Sequence, residues 1–226
     1  MKKLLIIDDD KTLGSAIQSA FRSDFQVFIE NTGTTGVATA SREVPDLILL
    51  DLHLPDLKGF DVCKRLREQP KTLSIPIIFL TGDASPEASV SGFELGADDF
   101  VVKPFHARAL RARIDARLRS TPVSPDNGVP TQVGNLELDP ASRAVKVAGK
   151  PIILTTFEYE MLIFFLTRTG ELVLRKTLLS HLWPDSVVSE RTVDTHIAHL
   201  RKKLSEFDHR LKTVHRAGYQ LLPPAN

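Results

Sequence analysis

An α/β doubly wound domain with a five-stranded parallel sheet, followed by a smaller α+β domain, is the fold this chain predicts. Three observations lead there. Over the first 119 residues, short apolar runs alternate five times with segments of helical spacing, the pattern of repeated β-α units. Residues 120–130 then carry three prolines and a glycine among polar residues, a composition that builds no core and reads as a linker. Beyond them the pattern changes to short strands separated by turn residues, three helical segments and a closing hairpin.

Taken in order, strands are predicted at Leu4–Ile7, Val27–Ile29, Leu47–Leu50, Ile75–Leu80 and Phe100–Val102. Helices are predicted around Leu13/Ile17/Phe21, Val37–Ser41, Phe60–Leu66, Val90–Leu95 and Leu110/Ile114/Leu118. The continuous apolar run Leu47-Ile48-Leu49-Leu50 fits a strand covered on both faces, and the flavodoxin-like order 2-1-3-4-5 is the expected topology. The second domain, residues 131–226, opens with strands at Leu136–Leu138, Ala144–Val147 and Pro151–Leu154. Helices over Thr156–Arg168, Arg175–Leu182 and Arg191–Leu204 follow, and Lys212–Val214 with Gly218–Leu222 forms the last hairpin.

Composition excludes several classes. Hydrophobic residues at 42% and charged residues at 25% are ordinary for a folded domain and exclude a disordered, collagen-like or coiled-coil chain. No run approaches ~18 uninterrupted apolar residues, so no membrane span is expected. The basic-then-apolar start stops at Asp8-Asp9-Asp10, short of the ~7–15 apolar residues of a signal peptide, so the expected location is cytoplasmic. The single cysteine, Cys63, excludes an intramolecular disulfide and a cysteine-cluster metal site, and it reads as an inert small residue. The net charge of +1 conceals a local excess: Arg191 to Arg216 holds seven basic and three acidic residues plus four histidines, which points to an anionic partner for that segment.

In an open α/β sheet, ligands gather at the carboxyl ends of the strands. Here those ends carry Asp8-Asp9, Asp51, Thr81 and Lys103. In the order 2-1-3-4-5 the first and third strands are neighbours, so three carboxylates converge. Such a cluster needs a cation, and a hard, oxygen-seeking Mg²⁺ that keeps some waters suits it. Asp51 then reads as a nucleophile toward a phosphoryl group, with Lys103 and the metal neutralising charge and the Thr81 hydroxyl donating to a phosphoryl oxygen. A phosphatase using the same chemistry is the rival reading, but no second acid or base stands beside Asp51 and the second domain would be left without a purpose.

Four stretches now carry a resemblance: Ile6-Ile7-Asp8-Asp9-Asp10, Leu49-Leu50-Asp51-Leu52-His53-Leu54-Pro55, Leu80-Thr81-Gly82 and Gly96 to Phe105. They resemble the receiver domain of bacterial response regulators over roughly residues 2–119. The resemblance implies that Asp51 is the phosphoacceptor for a sensor histidine kinase. It also implies that Asp8, Asp9, Asp51 and the His53 carbonyl hold the metal, and that Thr81 and Phe100 form the switch pair. A Tyr is commoner at position 100, and Phe100 lacks the hydroxyl that would lock the switched state.

On a helical projection of Arg191–Leu204, Val193, Ile197, Leu200 and Leu204 form the buried stripe. Arg191, Thr195, Ala198, His199 and Lys202 lie opposite, with Asp194, His196, Arg201 and Lys203 on the flanks. Small groups mixed with long donors suit a helix in a major groove, and the flanking cations and His196 suit phosphates. Thr155 to Leu162, Leu178 to Trp183 and Arg191 to Leu204 resemble the winged-helix effector of OmpR/PhoB-type regulators over about residues 131–223. That implies a transcription regulator on double-stranded promoter DNA. Its last hairpin would serve as a wing, with His215 and Arg216 where an Arg-Gly usually stands. Trp183–Glu190 would be a loop that some members turn toward RNA polymerase. Receivers of this type pair through the fourth helix, fifth strand and fifth helix, so a homodimer on activation is expected. Asp98, Asp99 and Arg113 would carry interface charges and Val90, Phe93 and Leu110 apolar contacts, while Ser89 and Ala109 replace the other usual charge pair.

Overall fold

The structure, a computed structural model, describes residues 1–82, 92–93, 95–118, 131–140, 142–183 and 190–224. The chain divides into two compact units, Met1–Arg119 and Ser120–Asn226. The proposed linker 120–130 and Val90, Ser91 and Glu94 of the helix expected over Val90–Leu95 lie outside the described residues; Gly92 and Phe93 of that segment are helical and Leu95 is in a turn.

The first unit runs β1 (Lys2–Ile7), α1 (Lys11–Phe21), β2 (Phe25–Glu30), α2 (Gly33–Glu43), β3 (Leu47–Asp51), α3 (Gly59–Glu68), β4 (Ile77–Thr81), β5 (Asp99–Val102) and α4 (Ala107–Leu118). Its five strands are parallel in the expected order, β2-β1-β3-β4-β5. Every residue of β3 and β4 is buried, as a sheet covered on both faces requires. Side chains alternate: Leu4, Ile6, Leu47, Leu49, Ile78 and Leu80 share one core cluster with Ile17, Phe21, Leu110 and Ile114 of α1 and α4. Full burial of one such side chain contributes about 1.5–3 kcal/mol. Asp10 accepts from Thr12 and Leu13 N–H groups and so starts α1. Cys63 is fully buried on α3, where burial pushes its thiol up to about 11.

The second unit opens with an antiparallel sheet of β6 (Gln132–Val133), β7 (Leu136–Asp139), β8 (Ala144–Val147) and β9 (Lys150–Ile152). Next come α5 (Thr156–Leu166), β10 (Val173–Leu174), α6 (Arg175–Leu182) and α7 (Glu190–Lys203), then the hairpin β11 (Arg210–Val214) and β12 (Gly218–Leu222). The two-residue strands β6 and β10 carry no periodic signal and were not foreseen. β10 pairs with β12 to complete a three-stranded sheet. α5 is apolar nearly all round because it is the domain's central helix, burying Phe157, Tyr159, Met161, Leu162, Phe164, Phe165 and Leu166. A capping box starts it: Glu158 N–H donates to Thr155 Oγ1 at 3.2 Å, and Thr155 N–H donates to Glu158 Oε2 at 2.7 Å.

Candidate phosphoacceptor pocket and nucleic-acid interface

Strand register builds the pocket. Ile7 lies opposite Leu50, so the next residues along, Asp8 and Asp51, leave the sheet side by side. Asp51 is opposite Leu80 and Thr81 is opposite Val102, which brings Thr81 and Lys103 to the same edge. Lys103 N–H donates to the Thr81 carbonyl at 2.6 Å, and the peptide bond from Lys103 to Pro104 is cis. The Lys103 ammonium straddles two carboxylates, 2.7 Å from Asp8 Oδ2 and 2.8 Å from Asp51 Oδ1. The other Asp51 oxygen, Oδ2, accepts the His53 N–H at 2.8 Å. Thr81 is buried, Asp51 nearly so, and Asp9 and His53 are exposed.

The electrostatics follow from burial. Asp8 is fully buried, and desolvation raises its carboxyl above the ordinary value; the Lys103 contact and the Asp10 N–H offset this only in part, and the Asp51 charge adds to it. Burial works against the Lys103 charge too, but its hydrogen bonds and proximity to Asp51 and Asp8 outweigh that and hold the ammonium above the usual lysine value. Ligand atoms of Asp8, Asp9 and Asp51 lie within 4.8 Å of one another. Three oxygen donors this close, one of them desolvated, fit a small hard cation that retains waters.

Two supports of the pocket escaped sequence reasoning. Gly59 starts α3 so close to the Asp51 backbone that a Cβ there would stand 2.1 Å from the Asp51 carbonyl oxygen. Asp56, on the loop between β3 and α3, accepts the N–H groups of Gly33 and Thr34 at 2.7 and 2.9 Å and so ties that loop to the start of α2. The hydrogen bonds from Thr34 and Gly33 hold its carboxyl down at about 2. The contact spans 23 residues, so only the turn signal Pro55-Asp56 was visible locally.

Asp98, Asp99, Phe93 and Leu110, expected at an interface of the first unit, are buried within it. Asp98 is 2% exposed, and its Oδ2 receives Arg67 at 2.9 Å and the Ile77 N–H at 2.8 Å. Arg67 also donates to the carbonyls of Gly96, Leu73 and Ile75, so the pair is an internal hub. Asp99 is 1% exposed and pairs with Arg113 and Arg117 of its own chain at 3.1 and 3.4 Å. Phe93 and Leu110 are fully buried, Ala109 is exposed, and Ser89 and Val90 lie outside the described residues. Charge in a sequence does not reveal that its partner is internal.

On α7 the buried stripe contains Val193, Ile197 and Leu200 as expected, but also His196 and Thr192. His196 stacks against Phe157 and Trp183, with ring centroids 4.5 and 5.4 Å away, so it is a core residue and has almost no surface for a phosphate. It stands three residues after Val193, a helical spacing that places both on one face. Two cations are also committed inside the domain. Arg201 donates to the Leu211 carbonyl and Thr213 Oγ1 at 2.8 Å each, and Lys203 is 2.6 Å from the buried Glu158 carboxylate. Arg191, Ala198 and Lys202 are exposed, Thr195 and His199 half-buried, and His215 and Arg216 exposed at the hairpin turn, with Arg216 at φ +58°.

A tie between helix and hairpin was also missed. Asp194 accepts Arg175 Nε at 2.7 Å and the Tyr219 hydroxyl, while the guanidiniums of Arg175 and Arg201 lie 4.8 and 5.4 Å from the Tyr219 ring centre. Burial and the Asp194 carboxylate push the Tyr219 phenol up to about 12. Trp183 is buried, Glu190 is exposed, and residues 184–189 between them lie outside the described residues.

A parallel sheet with three carboxylates and a lysine at its strand ends, joined to a winged-helix unit, defines a signal receiver coupled to a transcriptional effector. Comparison with known proteins agrees. The receiver domain of response regulators matches residues 4–115, and the C-terminal domain of transcriptional regulatory proteins matches residues 149–221. The chain is 40% identical over 223 residues to the phosphate regulon transcriptional regulatory protein PhoB of Pseudomonas aeruginosa, covering 97% of this chain and 96% of that one. It is 37% identical over 231 residues to the DNA-binding dual master transcriptional regulator RpaA of Synechocystis sp., covering 98% and 95%. The solved structure of a RitR mutant shares the fold, with a TM-score of 0.75 at 24% identity over 99% of this chain and 100% of that one. The chain belongs to the OmpR/PhoB family of two-component response regulators. It is a transcriptional regulator, and a kinase and promoter DNA are the partners this pairing of domains implies. Among the described residues no helix is long and apolar enough to cross a membrane.

Proposed function

We propose that Asp51 is the phosphoacceptor through which a sensor histidine kinase controls this regulator. The observation that carries the reading is the Lys103 ammonium bridging Asp8 and Asp51 where three strand ends meet. An Asp51 oxygen forms the new bond to phosphorus as the bond from phosphorus to the kinase imidazole breaks. Lys103 neutralises charge on the phosphoryl oxygens, and the Thr81 hydroxyl donates to one of them. Asp8, Asp9, Asp51 and the His53 carbonyl would hold Mg²⁺, which would supply positive charge to neutralise the phosphoryl group. Phe100, packed 5.1 Å from Phe79 and 5.0 Å from Phe93, acts with Thr81 as the switch.

In the effector, α7 enters a major groove with Arg191, Thr195, Ala198, His199 and Lys202 facing the DNA, and His215 and Arg216 approach the backbone or minor groove from the hairpin. Phosphorylation favours pairing of two chains on two half-sites, without Asp98, Phe93 or Leu110 as interface groups. RNA polymerase is a further partner through Trp183–Glu190. Intact-mass measurement after incubation with acetyl phosphate and Mg²⁺ tests the core of this reading. Wild type gains one phosphoryl group and Asp51→Ala gains none; an equal adduct on both would overturn the assignment.

A further inference from the structure

Position 100 lacks the hydroxyl that a tyrosine would use to lock its inward position, so the seat of Phe100 must be set by packing alone. Among the described residues, the ring contacts that define that seat are apolar. Phe79 and Phe93 stand on two sides, with centroids 5.1 and 5.0 Å away, and Phe60 backs Phe79 edge-on at 5.5 Å. Phe100 itself is 8% exposed. Gly92 also stands against the ring. A Cβ on Gly92 would stand 2.2 Å from Phe100 Cζ, 2.8 Å from Phe100 Cε2 and 3.2 Å from Phe79 Cε2. Carbon atoms at rest need ~3.5–4.0 Å, so residue 92 and the ring of residue 100 compete for one volume. Phe79 and Phe93 are fully buried in the core, which leaves the Phe100 ring as the group free to yield.

We infer that Gly92 is a positioning residue of the switch: the absence of a side chain there admits Phe100 to its inner seat and lets phosphorylation of Asp51 reach the pairing of chains. The inference rests on the phosphoacceptor reading above and adds the residue that decides whether Phe100 can answer it. Any side chain at 92, even a methyl, turns Phe100 out and uncouples output from phosphorylation. The chemistry at Asp51 should be untouched, because the three atoms nearest to a Cβ on Gly92 belong to Phe100 and Phe79 rather than to Asp51, Lys103 or Thr81.

The test uses the full chain with Gly92→Ala, Phe100→Leu and both together. Each is treated with acetyl phosphate and Mg²⁺, weighed as an intact protein and sedimented. Nuclear Overhauser contacts between the Phe100 ring and the rings of Phe79 and Phe93 report the seat directly. Wild type and Gly92→Ala are expected to take up the same adduct. Gly92→Ala should lose the ring contacts and show a dimer dissociation constant raised about tenfold after phosphorylation, a shift that a modest change in switch population produces. The double variant, whose shorter side chain clears the added methyl, should recover most of the pairing. Retained ring contacts in Gly92→Ala, wild-type pairing in that variant, a phosphorylated wild type that stays monomeric, or no recovery in the double variant would each overturn the inference. No adduct on wild type would instead overturn the phosphoacceptor reading, leaving the ring contacts to judge the seat.

Discussion

The pocket at the strand ends and the exposed side of α7 spend charge in opposite ways. In the pocket, like charges are held together at a cost: Asp8 is buried beside Asp51, and Lys103 is shared between them. On α7, two cations that a projection places on the flanks of the DNA-facing side also tie the domain together, Lys203 with Glu158 and Arg201 with the β11 strand. A residue at the end of a buried strand has its position fixed by register, and little but a ligand to meet. A long side chain on a helix flank meets whatever packs alongside. Charge density therefore marks function more reliably at the first place than at the second.

The largest effect that would sharpen this contrast is on stability. Glu158→Ala removes a 3%-exposed carboxylate that serves both the Thr155 cap and Lys203, and it should destabilise the effector by about 3 kcal/mol in chemical denaturation. A loss within the noise of a surface substitution would mean that Lys203 is not structural. In the pocket, Lys103→Ala should slow phosphoryl uptake from acetyl phosphate by about 10²-fold, as loss of one preorganised electrostatic contact does. Wild-type rates in that variant would make the ammonium a structural tie.

Arg201 and Lys202, adjacent on one helix, divide the two roles. Arg201→Ala should cost about 1 kcal/mol of stability through its lost hydrogen bonds to Leu211 and Thr213. Lys202→Ala should leave stability within about 0.5 kcal/mol but flatten the dependence of log K on log salt by about 1. An equal salt-slope change in both variants would break the division.

The smallest effect is the most diagnostic of the pocket. Because the folded-state Asp8 pKa is raised, the native state binds protons more tightly than the unfolded chain there, and the group costs stability as pH rises from the unfolded value toward neutrality. In chelator, Asp8→Asn should raise the melting temperature at pH 7. The gain should shrink on acidification and close below about pH 4, where the carboxyl is protonated in both states. A variant less stable than wild type at pH 7 would show that the Lys103 contact outweighs desolvation.

The sequence displayed the sheet order and the strand-end residues because both follow from short apolar runs, the mark of strands covered on both faces, and from chain topology. Residues such as Asp8, Asp51, Thr81 and Lys103 need only their strand to be found. What stayed hidden depends on contacts between distant segments. Asp98 looked like an interface charge until Arg67, 31 residues away, was found on it. His196 looked like a flank residue until the aromatic rings of Phe157 and Trp183 closed over it. The two-residue strands β6 and β10 exist only because a neighbour offers them hydrogen bonds.

The buried thiol of Cys63 has a practical side. With its Sγ sealed in the core and directed at the Leu95 carbonyl, 3.6 Å away, the native chain offers maleimide reagents no competing target. A cysteine introduced at Ala198 or at His215 would then take a probe alone, without first stripping the background. Two such labels, one on the helix and one at the hairpin turn, make a ruler between the elements that Tyr219 ties together, readable by spin or fluorescence methods on DNA and off it.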